Sequence, residues 1–383
     1  MKTPRNYLLK LKVLAMLCLV GAFTHAQATT LTWRLGSWTD GDWDFVTDNW
    51  NPGPTVFTDG AHVVFNSGNS GVNLNTTVRP SSVVLNAAIN NRDWLAGTGD
   101  LADYDGDNPT TVTINGVEIR TAIQNIPTFS GGLFINGGNL RLPADLNGFG
   151  TGDIVLNSGG RLTAAGVVTF TQTVRVLADG GNLRSNSGQA TFSGDVYLAG
   201  NLTLSGGDWD RSKITGDITL QNNVTITGGN TSGSSQAYTT LSGAASGNHT
   251  LTMDVNTNGR MTIDGSNWEI GGLVLSGAGQ LWIDSENIIG HGGGMTIVAG
   301  SGLVRLMQDQ TLSFLTLGET VFTQQGTFAT THFDPNNDWF TSTSTGMITI
   351  IPEPQTYALL FGTLIGAFIL VIRRRKNLLH CLP

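Results

Sequence analysis

Between Gly131 and Ile226 the chain repeats one short phrase: Leu133-Phe134-Ile135, Ile154-Val155-Leu156, Val174-Arg175-Val176, Val196-Tyr197-Leu198 and Ile218-Thr219-Leu220. Their first members stand 21, 20, 22 and 22 residues apart. A second series holds the same interval, at 22, 21, 19 and 22: Leu140-Arg141-Leu142, Leu162-Thr163, Leu183-Arg184, Leu202-Thr203-Leu204 and Val224-Thr225-Ile226. Two series locked to one period and separated by Gly and Asn predict an all-β chain. It should be wound as a right-handed parallel β-helix, or β-solenoid, with one coil per ~21 residues. The first and third residues of each phrase then face inward and the middle one outward. Ile154, Val174, Val196 and Ile218 should therefore line one interior row. The residues before each second phrase, Asn139, Arg161, Asn182, Asn201 and Asn223, read as a turn column bonding coil to coil. Looser phrases such as Leu251-Thr252-Met253 and Leu281-Trp282-Ile283 extend the solenoid over residues 120–325. A β-sandwich with glycine-rich hairpins is the alternative fold.

Composition agrees with a long sheet. The 383 residues include 51 glycines, and only 13% are charged, against about 25% in an ordinary soluble domain. The two cysteines, Cys18 and Cys381, lie near the ends. The body between them can form no disulfide and no thiolate metal site. Residues 29–372 hold twelve basic side chains against all 28 acidic ones, a net charge of −16. Such a body repels phosphate backbones, which excludes nucleic acid as a partner.

Both ends read as addresses. In residues 1–28 the basic Lys2, Arg5, Lys10 and Lys12 precede the apolar run Val13 to Phe23, and Ala26-Gln27-Ala28 follows. This is the order of a secretory signal peptide, with cleavage after Ala28 or Ala26. At the other end Pro352-Glu353-Pro354 precedes the uncharged run 356–372 and then Arg373-Arg374-Arg375-Lys376. As a helix the run spans ~26 Å, just enough for a single transmembrane helix. The basic cluster keeps the tail 377–383 cytoplasmic.

That three-part order, residues 352–376, resembles the PEP-CTERM sorting signal of Gram-negative bacteria that make exopolysaccharide. Gln355 stands where the family often has Ser, and the tail is longer than usual. The resemblance implies an exosortase as processing partner, acting at or near Pro352, Glu353 and Pro354, with a transient inner-membrane anchor before sorting to the cell surface or extracellular matrix. The two prolines keep the segment extended and unpaired, as a protease requires.

Residues 29–119 form a Trp-rich region. Thr32-Trp33, Gly41-Asp42-Trp43 and Asn49-Trp50-Asn51, followed by Asp59 to Phe65, are similar to the opening of secreted proteins with autotransporter-associated β-strand repeats. That resemblance implies a surface β-solenoid without enzymatic activity. The tryptophans read first as a cap on the open end; in the second reading Trp43 and Trp50 stack on sugar rings. Residues 326–351 hold a C-terminal strand and a Ser/Thr-rich spacer, Thr341 to Gly346.

Three clusters invite chemistry. Asp103, Asp105 and Asp107 crowd one loop, yet an EF-type calcium loop there would need a ligand at Leu101 and Glu at Val112. Asp195 and Asp217 precede equivalent strands and would sit ~5 Å apart on adjacent coils, where a calcium ion would relieve their repulsion. Calcium is the only cofactor these residues invite. Gly290-His291-Gly292-Gly293-Gly294 resembles the oxyanion-hole loop of esterases and the Gly-His-Gly of pectin-hydrolysing β-helices. Neither a Gly-x-Ser-x-Gly elbow nor an Asp-Asp pair accompanies it, so His291 reads as an imidazole on a loop. The expected function is an exported, noncatalytic structural protein of the surface or biofilm matrix, with polysaccharide or surface proteins as partners. The alternatives are a carbohydrate-active lyase or hydrolase on the same fold, or a glycan-binding adhesin.

Overall fold

The structure, a computed structural model, describes residues 29–34, 41–53, 55–66, 71–86, 94–144, 146–206, 211–230, 238–290 and 292–351. They form a β-solenoid of about ten turns with almost no helix. On a first face Thr30–Trp33, His62–Phe65, Ser82–Leu85, Thr111–Asn115, Leu133–Asn136, Ile154–Asn157, Val174–Val176, Val196–Leu198 and Ile218–Leu220 stack in parallel. A second face runs through Asn139–Ala144, Gly160–Ala165, Gly181–Ser185, Leu202–Gly206 and Val224–Asn230. A third comprises Val168–Phe170, Gln189–Phe192, Arg211–Ile214, Tyr238–Leu241, Arg260–Ile263, Gln280–Ile283 and Val304–Leu306. Parallel pairing on every face rules out the sandwich, whose sheets are antiparallel.

The interior row falls where the period placed it. Ile154 pairs with Val174, Val174 with Val196, and Val196 with Ile218, and all four are buried. Each such side chain contributes ~1.5–3 kcal/mol by leaving water. Stacked coils repeat this gain without a disulfide.

Three boundaries differ from the sequence reading. First, the parallel ladder starts well before residue 120, at Thr30–Trp33. The first-face strands there begin at Thr30, His62, Ser82 and Thr111, intervals too uneven to show a period. Second, Leu183 pairs with Leu204 rather than Leu202, and Leu202 pairs with Ile226. A slip of two residues leaves the same side chains facing in, so the core tolerates it. The outer column changes to Asn139, Arg161, Asn182, Thr203 and Thr227, without Asn201 and Asn223. Third, Thr341 to Gly346 is no free spacer. The amides of Thr341 and Thr345 donate to the carbonyls of Val304 and Leu306, and the Ser344 hydroxyl accepts from the Leu306 amide.

Antiparallel strands close both ends. Trp50–Asn51 covers Thr30–Trp33, and Thr320–Phe322 covers Phe314–Leu317. Gly326–Ala329 runs antiparallel to Met347–Ile350, which itself stacks in parallel on Gln310–Leu312. Such strands occupy the backbone groups that would otherwise template aggregation.

Candidate functional site

Trp43 and Trp50 are fully buried. Their rings lie 5.5 Å apart and pack edge-on against each other, with Phe65 5.8 Å from both and Trp33 4.8 Å from Trp50. Stacking on a sugar needs an open ring face, so the glycan-binding assignment of Trp43 and Trp50 is corrected: they fill the first coils from inside. Burial inside the coils takes ~150–250 Å² of each indole out of water.

The acidic clusters act within the fold. Asp103 Oδ1 accepts the amides of Thr110 and Ser130, and Oδ2 accepts the Ser130 hydroxyl. Asp105 Oδ1 accepts the amides of Asp107 and Asn108, and Asp107 is exposed. Oxygens so engaged, short of the six to eight that calcium takes, fit an Asx-type turn better than an ion. Asp195 and Asp217 do come to adjacent coils, since the amides of Val174 and Val196 bond their respective carbonyls. Both side chains are exposed, and Asp217 Oδ1 accepts the Ala244 amide. Among the described residues no three His, Cys, Asp or Glu side chains converge as a metal site.

A groove of about 1040 Å³ opens near the C-terminal end. Its cause is a break in the first-face ladder, where a lone bridge joins Ile270 to Ile289. The buried Gln310 patches this break, its Oε1 accepting the Ile288 amide and its Nε2 donating to the Ser285 carbonyl. Asp264, Glu269, Asp284 and Glu286 line the groove with Trp268, and no Arg or Lys joins them among the described residues. Asp264 accepts the Ser242 hydroxyl, while Asp284 Oδ1 is buried without a partner among the described residues. Acid–base hydrolysis of a glycan asks for a carboxylate pair flanking the scissile bond. The groove offers carboxylates, and no Arg or Lys stands among its described lining residues.

Basic side chains gather elsewhere. Arg120, Arg141 and Arg184 share one outward column of the second face, with Arg161 beside it. On the third face arginines and aromatics interleave. Arg260 Cζ lies 3.9 Å from the ring centroids of both Tyr238 and Trp282. Arg305 covers Trp282 at 4.1 Å and Arg211 stands 5.7 Å from Tyr238. Burial between the rings draws the Arg260 guanidinium below its ordinary pKa; Tyr238 and Asp284 oppose this, while Arg305 and Arg211 add to it. The sequence reading missed this ladder because its members stand more than twenty residues apart. Arg and aromatic residues alternating at the coil interval were the available signal.

The signal cleavage residues Ala26 and Ala28, the sorting residues Pro352, Glu353, Pro354, Arg373, Arg374 and Arg375, the run 356–372 and His291 all lie outside the described residues. Among the described residues no helix is long and apolar enough to cross a membrane. Comparison with protein-family models, curated proteins and solved structures yields no match.

Proposed function

We propose that the chain is an exported, noncatalytic structural protein of the cell surface or extracellular polysaccharide matrix. Its signal peptide is removed, and its PEP-CTERM-like end anchors it through one transmembrane helix until an exosortase processes it. The observation that carries this reading is a parallel ladder of about ten coils, closed by antiparallel strands at both ends, lying between two terminal address sequences. A rod of this kind presents repeated outward columns to a polymer or to neighbouring proteins. We assign its coils the right hand that parallel crossovers adopt.

The test is fractionation of cells with and without the matching exosortase. The expected result is a shortened product in the surface or matrix fraction of the first, and an uncut inner-membrane form in the second. The same size and location in both would overturn the reading. The groove over Asp264 and Asp284 favours a second reading, a polysaccharide lyase or hydrolase on this fold. Release of new chain ends from a matrix polysaccharide, lost in Asp284→Asn, would establish that reading instead.

A further inference from the structure

Within a body of net charge −16, the third face is basic. Its described strands carry Arg211, Lys213, Arg260 and Arg305 pointing outward, and no acidic residue. The carboxylates adjoining these strands in sequence are Asp264 and Asp284, which follow strand ends, and Asp210, which precedes Arg211 and lies outside the described residues. Ion pairs among the described residues are Arg34 with Asp48 and Arg175 with Asp153, neither on this face. The stacked Arg260 and Arg305 bury Nε without a partner, and no hydrogen bond within the described residues takes up their terminal nitrogens. Rings on one or both sides hold each guanidinium in place, so little freedom is lost when a carboxylate binds its fork.

From this geometry we infer that the Arg211–Tyr238–Arg260–Trp282–Arg305 ladder binds a linear acidic polysaccharide along the rod. The inference rests on the matrix reading above and names the ligand class. One ring separates successive arginines, so their charges recur every second coil, a spacing of ~10 Å. That is close to the length of one disaccharide in an extended β-linked glycan, and matches a chain with one carboxylate per disaccharide. Duplex DNA carries one charge per ~1.7 Å, far denser than the ladder, and the surrounding negative body repels it. The ring faces already hold guanidiniums, so charge on the sugar, rather than sugar stacking, provides the recognition.

The test titrates the full chain in mild detergent with hyaluronan oligosaccharides, which carry one carboxylate per disaccharide. The carboxyl-reduced neutral oligosaccharide and a DNA duplex serve as competing probes. Saturable binding to hyaluronan alone is expected, weakening as salt rises. Arg260→Gln and Arg305→Gln should each bind ~5-fold more weakly, and Arg175→Gln, on the first face, as well as wild type. An unchanged melting temperature shows that the variants fold, and Lys213→Gln gives a second probe of the face if Arg260→Gln does not. Equal binding of the neutral glycan, tighter binding of DNA, or full affinity in both arginine variants would overturn the proposal. Failure here with normal exosortase-dependent sorting rejects the ladder alone. Binding retained without such sorting rejects the matrix reading alone.

Discussion

Asparagine holds the early coils together at a column other than the one its spacing first indicated. The Asn86 side-chain amide donates to Asn66 Oδ1 at 2.8 Å, Asn115 to Asn86 at 2.9 Å and Asn136 to Asn115 at 3.1 Å. Each residue follows an apolar-x-apolar phrase, as in Val83-Val84-Leu85-Asn86 and Leu133-Phe134-Ile135-Asn136. The two middle side chains, Asn86 and Asn115, each donate one bond and accept another, so removing either breaks two bonds. Asn115→Ala should cost about 1–2 kcal/mol in urea unfolding, more than the terminal Asn66→Ala. Asp44 sets a pH dependence nearby. Burial raises its pKa, but the amides of Thr47 and Val46 and the Thr47 hydroxyl outweigh this and hold it below the ordinary carboxylate value. A depressed carboxyl stabilises fully above its unfolded value and loses that contribution as pH falls through the folded one. Thermal melts of Asp44→Asn should therefore show a smaller decline below pH 4 than wild type, and parallel declines would refute this.

Strands stack this closely only where the corners between them permit. Gly194, Gly216, Gly243 and Gly265 fall on successive coils before the first face, and each lies over the carbonyl of the coil below: Gln172, Gly194, Gly216 and Gly243 in turn. A Cβ at any of these sites would overlap that oxygen. Gly243→Ala should cost roughly 3 kcal/mol, whereas Gly106→Ala, where a Cβ meets nothing, should leave the melting temperature within a degree or two of wild type. The same corner explains what the sequence could disclose. Gly-Asp at 152–153, 194–195 and 216–217 is visible as a repeat, yet its necessity lies in the glycine, whose packing is with a neighbouring coil. Inward positions were legible because burial imposes the two-residue alternation along every strand. Exact pairing was not, since a two-residue slip at Leu202 costs the core nothing. The groove was hidden for a related reason, because it arises from a ladder that fails between Ile289 and Gln310, and no residue pattern marks a missing pair.

Across the whole molecule, stability is a sum over neighbouring coils, so a rod of this kind opens from its ends. The C-terminal closure depends on one carboxylate. Asp334 is 3% exposed; its Oδ1 accepts the Asp338 amide at 2.8 Å, and its Oδ2 those of Trp339 and Phe340 at 2.7 Å each. These bonds set the loop after the helical turn Thr330–Phe333, bring the buried Phe340 to bridge Val304, and return the chain so that Met347–Ile350 covers Gln310–Leu312. Asp334→Ala leaves three amides unpaired, a loss of roughly 3 kcal/mol concentrated in this closure. Hydrogen exchange should then accelerate in 304–312 and 340–350 while 154–220 keeps its protection. Asp334→Asn, which retains one acceptor oxygen, should fall between. The uncovered edge of Gln310–Leu312 would offer a parallel template to a second molecule, so Asp334→Ala should also form higher assemblies on concentration. Uniform acceleration along the chain would show that the coils unfold as one cooperative block, and unchanged exchange at 304–312 would show that the closure holds without the carboxylate.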